Sequence, residues 1–407
     1  MLSPGQNRKY YVLGALPMGE ACATDFDSTD SGRVGSLWFA DGNVVLIAED
    51  LKFRVHRSIV SKSCPVFGDL FMLPQLMVTG SEPCSEVDDG VAVVNLPDKG
   101  RHLFYFLSAI YNRTFFSDRS LWSRSTETIA GIITLAHKYE ARCLYHEALR
   151  HLEATYATTL AQHDALSLTL NSKPATAERE NSMRTTRLSS KDLAMPICIE
   201  PVFLINVIRR IPTTELLKFL PHAFYQASLQ SADSLARGAV CIPHRILSGK
   251  LNPKTSCSCI VGGTYPGIVV QKLDDDDAHD DKERELLHPD DLRRIIAAQR
   301  ILVKLNSYAT KCFHPDAENL SPECARQKDL RASPCSKGLE QLCMGALKSN
   351  VFACMDPLAS RDALIDKARK LRLLCDPCQT HLKRRHTEAR QKVWDDLKNH
   401  FDLESWP

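Results

Sequence analysis

Between Asp41 and Leu73 the pattern of apolar and polar positions changes period twice. Val44 to Ala48 is an unbroken apolar run rich in β-branched residues, which predicts a buried strand. Glu49-Asp50 supplies a turn. From Leu51 to Val55, Phe53 and Val55 alternate with Lys52 and Arg54, the signature of a half-buried strand paired with the first. At His56 the spacing becomes helical: Ile59 and Val60, then Val66, Phe67, Leu70 and Phe71, with Pro65 splitting the stretch into two short helices. Ser36 to Phe39 adds an edge strand ahead of this hairpin. Leu103, Phe104, Phe106, Leu107, Ile110 and Tyr111 then cover more than one face of a helix, as in an element buried between neighbours. Ile129, Ile132, Ile133 and Ala136 make a narrower stripe, with His137 a surface or hydrogen-bonded residue beside it.

The rest of the chain reads differently. Residues 1 to 33 carry no sustained period and are expected as a disordered arm. Residues 157–194 turn to Ser, Thr, Asn and Lys, which is linker chemistry. From 195 to 407 the period is helical, interrupted by a loop-rich acidic insertion at 249–287. Thr213 or Thr214 is expected to cap a helix carrying Leu216, Leu217, Leu220 and Phe224, with a kink at Pro221. His288-Pro-Asp-Asp opens a strong helix, its early proline and acids suited to a helix N-terminus. Further stripes follow at Leu339, Leu342, Cys343 and Leu347, at Leu364, Ile365, Ala368 and Leu371, and from about Gln379 to Asn399. The fold class expected is therefore α+β over 34–156, followed by a mainly helical region.

Particular residues at the joints narrow this. Asp41-Gly42 before the first strand, Phe53-x-x-His56-Arg57 at the strand-to-helix joint, Pro65-Val-Phe-x-x-Leu-Phe71 in the second helix and Leu135-Ala-x-Lys-Tyr139 downstream together resemble the BTB (POZ) domain. The phrasing is similar to the expanded BTB families of mushroom-forming fungi, in which a helical tail with scattered cysteines follows. Cys64 departs from the Ser common in the family, and the polar 75–90 loop is unusually long. The resemblance implies a further strand at Val91 to Leu96, a closing segment at Leu144 to Tyr156, and structural roles for Asp41, Phe53 and His56, with His56 bonding within the domain near Asp41. It also implies an interaction surface on Phe67, Leu70 and Phe71.

Composition adds exclusions. The 407 residues suffice for two or three domains, and a formal net charge of +2 gives no whole-chain case for nucleic acid or membrane affinity. No apolar run approaches the roughly 18 to 20 residues of a membrane span. Arg8-Lys9, Tyr10 to Leu16 and Ala21-Cys-Ala imitate a signal peptide, but Pro17 and Glu20 interrupt it. Fifteen cysteines, an odd number in a long chain, favour free thiols in a reducing cytoplasmic or nuclear compartment over a disulfide scaffold.

One constellation carries chemistry. Cys375-Asp-Pro-Cys378-Gln-Thr-His381 puts two thiols at the spacing of a metal knuckle, with a histidine one helical turn on. Cys312, Cys324, Cys335, Cys343 and Cys354 are candidate further ligands. A structural zinc here competes with unligated core cysteines, and no other cofactor is expected. The Gly262-Gly263-Thr264 and Asp274 to Asp281 segments lack the rest of a phosphate or calcium loop. No nucleophile elbow, His-Glu-x-x-His or dinucleotide fingerprint is present, so the chain is not read as an enzyme.

A BTB resemblance implies interaction: homodimerisation, with the helical tail presenting a surface to a protein target. A cullin scaffold is the further partner it offers, making the chain a substrate adaptor of a cullin-RING ubiquitin ligase. The alternatives are a nuclear transcriptional regulator or scaffold, and a zinc-binding tail with its own activity.

Overall fold

The computed structural model describes residues 32–72, 91–117, 125–171, 200–239, 284–324 and 334–404. The chain divides into two compact units: residues 1–123, 131–148 and 241–255 form the first, and 124–130, 149–240 and 256–407 the second. The architecture is α+β, a four-stranded sheet followed by a mostly helical region. Among the described residues no helix is long and apolar enough to cross a membrane.

In the first unit the hairpin forms where the period-2 pattern places it. β2 (Val44–Ala48) and β3 (Leu51–Val55) pair antiparallel with Leu46 opposite Phe53. The turn runs through Glu49 at φ 52, whose carboxylate accepts the Gly100 N–H at 2.9 Å. β1 (Arg33–Trp38) lies parallel to β3 at one edge, starting three residues before the expected Ser36, and β4 (Ala92–Leu96) lies parallel to β2 at the other. The sheet order is thus β1-β3-β2-β4.

Pro65 separates α1 (Arg57–Ser63) from α2 (Pro65–Met72), as its missing N–H requires. α3 (Gly100–Tyr111) is buried on most of its surface. α4 (Thr126–Lys138) and α5 (Arg142–Glu153) complete this part of the chain.

Part of the second unit lies where a linker was expected. Instead α6 (Leu160–Asn171) is a helix, and the remainder of the polar stretch, 172–199, lies outside the described residues. Its composition conceals polar anchors. Asp164 pairs with the guanidinium of the fully buried Arg390, which also donates to the Leu358 carbonyl oxygen at 2.9 Å. His163 Nδ1 lies 3.2 Å from His222 Nε2, and His222 Nδ1 accepts the Ala157 N–H at 2.9 Å. That fixes the proton of His222 on Nε2, donating to His163, and burial holds both rings below the ordinary histidine range. These bonds, together with the buried Leu160, fasten α6.

α7 (Pro201–Arg210) has Pro at N1 and Glu200 as N-cap, and nearly every residue is buried. α8 (Thr214–Leu217) and α9 (Leu220–Ser228) are separate helices. Pro221 starts the second of them and does not kink a continuous one. α10 (Ala232–Arg237) is followed by α11 (Pro289–Ala309), whose Asp291 receives a bidentate pair from Arg209 at 2.8 and 2.9 Å. The last helices are α12 (Pro334–Lys348), α13 (Asp362–Lys370), α14 (Asp376–Asp395) and the short α15 (Leu397–His400). The expected arm at 1–33 and the insertion at 249–287 fall almost wholly outside the described residues, as do the 75–90 loop, the glycine pair at 262–263 and the acids of 274–281.

Candidate metal centre

Four thiols from three separate stretches meet in the second unit. Cys324 closes a turn in which its own N–H donates to the Ser321 carbonyl oxygen and the Glu323 N–H to Ser321 Oγ, both at 3.1 Å. Cys335 is the second residue of α12. Cys375 is the N-cap of α14, and Cys378 sits in that helix's first turn. The four Sγ atoms lie within 4.8 Å of one another, and all four residues are buried. A group of this kind could hold a metal ion.

Local sequence explains how the sulfurs converge. Pro334 and Pro377 each occupy a first turn, where a missing N–H costs nothing, so α12 and α14 both begin at the cluster. Both helices thereby direct the positive end of the dipole toward the sulfurs. Gly338 sets the spacing. A Cβ there would lie 2.0 Å from the Leu373 carbonyl oxygen, so only glycine lets α12 approach the turn that leads into Cys375. The contact brings the Cys375 N–H to 3.3 Å from Cys335 Sγ, and the Ser321 backbone hydrogen-bonds to the Cys378 sulfur. Donors of this kind orient ligands around a metal.

The same four sulfurs belong to the apolar core formed by Phe313, Leu320, Leu339, Leu342, Ile365, Leu374 and Leu382. Burial pushes the Cys335 thiol up to about 11 and raises Cys378 as well, so without a cation these groups are neutral at pH 7. A divalent metal would expel the protons and leave thiolates.

His381 is not among the converging groups. It is half-buried, with Nε2 3.4 Å from the Glu318 carbonyl oxygen and Nδ1 3.4 Å from an Arg384 nitrogen. Three residues beyond Cys378, it is carried past the cluster by the helix, and the third and fourth thiols come instead from Cys324 and Cys335. Those two lie 51 and 40 residues upstream of Cys375, and no spacing rule links them to it. Cys312 and Cys343 are buried elsewhere in the apolar packing, and Cys354 is half-buried.

The residues singled out in the first unit divide in the same way. His56 Nε2 lies 3.2 Å from Asp41 Oδ1, while Tyr111 Oη accepts the His56 backbone N–H at 2.8 Å and sits 3.1 Å from Nδ1. The tyrosine hydroxyl then donates to Nδ1, and the Nε2 proton faces Asp41, whose carboxyl is held below its usual range chiefly by this bond. Phe53 is fully buried in the sheet. Phe67 is also fully buried, stacked on Tyr139 at 4.2 Å, so it belongs to the unit's own core and presents nothing to a partner. Leu70 and Phe71 are half-buried, and beside them Met72 is 86% exposed. The helical stripe identified the apolar side of α2 but not which residues its own core would cover.

Comparison of the chain with models of known protein families, with curated proteins and with solved structures finds no match.

Proposed function

We propose that the chain is a non-enzymatic interaction protein, in which a BTB-like first unit mediates self-association and the helical region, stapled by a structural zinc ion, carries the surface for a protein target. The observation that supports the zinc most directly is the thiol geometry. A tetrahedral ion with Zn–S bonds of about 2.3 Å sets its sulfurs about 3.8 Å apart. Cys324 and Cys375 have Sγ atoms 3.7 Å apart, and all four sulfurs fall within 4.8 Å. An all-thiolate shell leaves no open position for substrate, which suits a structural role over a catalytic one. Iron–sulfur clusters spread their thiolates around several metal atoms and suit a group this tight less well.

The interaction reading is supported by the first unit: a hairpin, a helical pair split at Pro65, and a later strand added parallel to the hairpin, in the order the BTB resemblance implies. Ile59, at 39% exposed, and Met72, with half-buried Leu70 and Phe71, supply apolar surface on α1 and α2 for a partner. Light scattering of the full chain at micromolar concentration tests the first part, with a dimer expected and a monomer at every concentration refuting it. Calorimetry against the N-terminal domain of a cullin then decides the adaptor branch: saturable binding lost in Leu70→Asp makes the chain a ligase adaptor, and its absence leaves an oligomerising scaffold. Elemental analysis tests the zinc, with one ion per chain expected.

A further inference from the structure

The four thiols are not equally sheltered. Cys335 and Cys378 are 0% and 1% exposed, whereas Cys324 and Cys375 keep 6% and 9%. The two nearer the surface are also in contact, at 3.7 Å between sulfurs. Position in the chain reinforces the division. Cys335 and Cys378 lie inside the first turns of α12 and α14, and each accepts a backbone hydrogen bond at sulfur, from Cys375 and Ser321. Cys324 and Cys375 stand outside the helices, one at the end of a turn and one at an N-cap, where side chains turn with less disturbance to a hydrogen-bonded ladder.

We propose that the metal centre is an oxidation site, at which a hydroperoxide converts Cys324 and Cys375 to a disulfide and the metal departs. This rests on the reading that the four thiolates hold zinc. The Cys375 thiolate, the more exposed, attacks one peroxide oxygen. The O–O bond breaks, the departing oxygen takes a proton and leaves as water, and the sulfur becomes a sulfenic acid. The Cys324 thiolate then attacks that sulfur. An S–S bond forms, the S–O bond breaks, and the oxygen leaves as a second water with another proton from solvent. Two sulfurs have given up two electrons, and one hydrogen peroxide has taken them. The sulfurs close from 3.7 Å to the roughly 2.0 Å of a disulfide. Zinc keeps two thiolate ligands in place of four and dissociates. The pairing differs from the one the Cys-x-x-Cys spacing suggests, which would join Cys375 to Cys378. Cys378 is the more deeply buried choice and is already held by the Ser321 backbone.

The test uses the full wild-type chain, so no variant has to fold. Zinc is first measured on reduced protein by elemental analysis. Stoichiometric hydrogen peroxide is then added, metal release is followed with a chromogenic chelator, and disulfides are located by peptide mapping under non-reducing conditions. Oxidation of cysteines outside the cluster, such as Cys143 and Cys354, is kept out of the readout, which counts released metal against the mapped Cys324–Cys375 disulfide. One zinc released per Cys324–Cys375 disulfide, with metal binding restored by a thiol reductant, is the expected result. A zinc-loaded chain that keeps its metal in excess peroxide overturns the inference alone, as does release accompanied by a Cys375–Cys378 disulfide. A chain that carries no zinc and takes none up on refolding overturns the metal reading and this inference with it.

Discussion

His386 offers a direct test of how the second unit is held together. The ring is fully buried in α14. Nδ1 donates to the Ala309 carbonyl oxygen at 2.9 Å, and Nε2 accepts the Arg361 N–H at 3.3 Å, an arrangement that only the neutral ring can make. Burial lowers its pKa to about 4, with Arg390 and Arg361 adding repulsion. The unfolded chain protonates the same ring near 6.5. The folded chain therefore binds fewer protons between these values. The contribution of His386 is intact above pH 6.5 and is lost progressively as pH falls toward 4. With pKa values of about 4 and 6.5, linkage gives a slope of about 1.2 kcal/mol per pH unit near pH 5, and about 2 kcal/mol lost between pH 6.5 and 4.5. The perturbation is His386→Gln, which keeps a donor and an acceptor but does not titrate. Urea midpoints followed by helical circular dichroism at several pH values, at fixed zinc, yield the difference between wild type and variant. Loss of metal in acid, and titration of the His163–His222 pair, affect both proteins and cancel. A difference that stays constant from pH 6.5 to 4.5 would refute the reasoning, whatever its size.

Three further substitutions probe other features. Gly338→Ala places a methyl group 2.0 Å from the Leu373 carbonyl oxygen, which is backbone and cannot turn aside. It is expected to cost about 2–3 kcal/mol and to weaken zinc retention in chelator competition, while a variant with unchanged affinity would dissociate that close approach from the centre. Asp164→Asn leaves the buried Arg390 guanidinium without its carboxylate. Because Asp164 is 32% exposed, the expected loss is about 1–2 kcal/mol by thermal melting, below the range for fully buried pairs. His56→Ala removes the ring's bonds to Tyr111 and Asp41 and the ring contact with Phe39 at 5.1 Å, leaving the backbone bond to Tyr111, and is expected to cost about 1–2 kcal/mol. Lost partner binding with unchanged stability would show instead that His56 faces a partner.

Where an element is a continuous apolar run or has one apolar face, the amino-acid pattern was legible. Val44–Ala48, Leu51–Val55 and the proline-split pair after His56 form where the change of period places them, because alternation and helical spacing are local properties. α6 was not legible. Its attachment uses His163 and Asp164, residues that look solvated until their partners, His222 and Arg390, are brought close by the fold. The four-cysteine cluster was half legible. Cys375 and Cys378 lie on one turn and announce themselves, but Cys324 and Cys335 were indistinguishable from Cys312, Cys343 and Cys354, since which cysteine faces which is decided by helix packing at Gly338. Phe67 misled for a related reason: a stripe shows that a helix has an apolar side, not whether the chain's own Tyr139 already covers it.

The order of the four cysteines along the chain has a consequence for biosynthesis. Cys324 and Cys335 are translated first, and Cys375 follows Cys335 by 40 residues. At roughly 5–20 residues per second, that leaves about 2–8 s in which the nascent chain holds two thiols of the four and lacks the helix that completes the set. On the proposed zinc reading, a half-site of two thiols would bind metal weakly, so capture would wait for α14 to emerge. Zinc would then act as a check on completion: a chain truncated before Cys375 would lack two of the four thiols and Leu382 from the core around Phe313 and Leu342, and would remain open to chaperones and proteases.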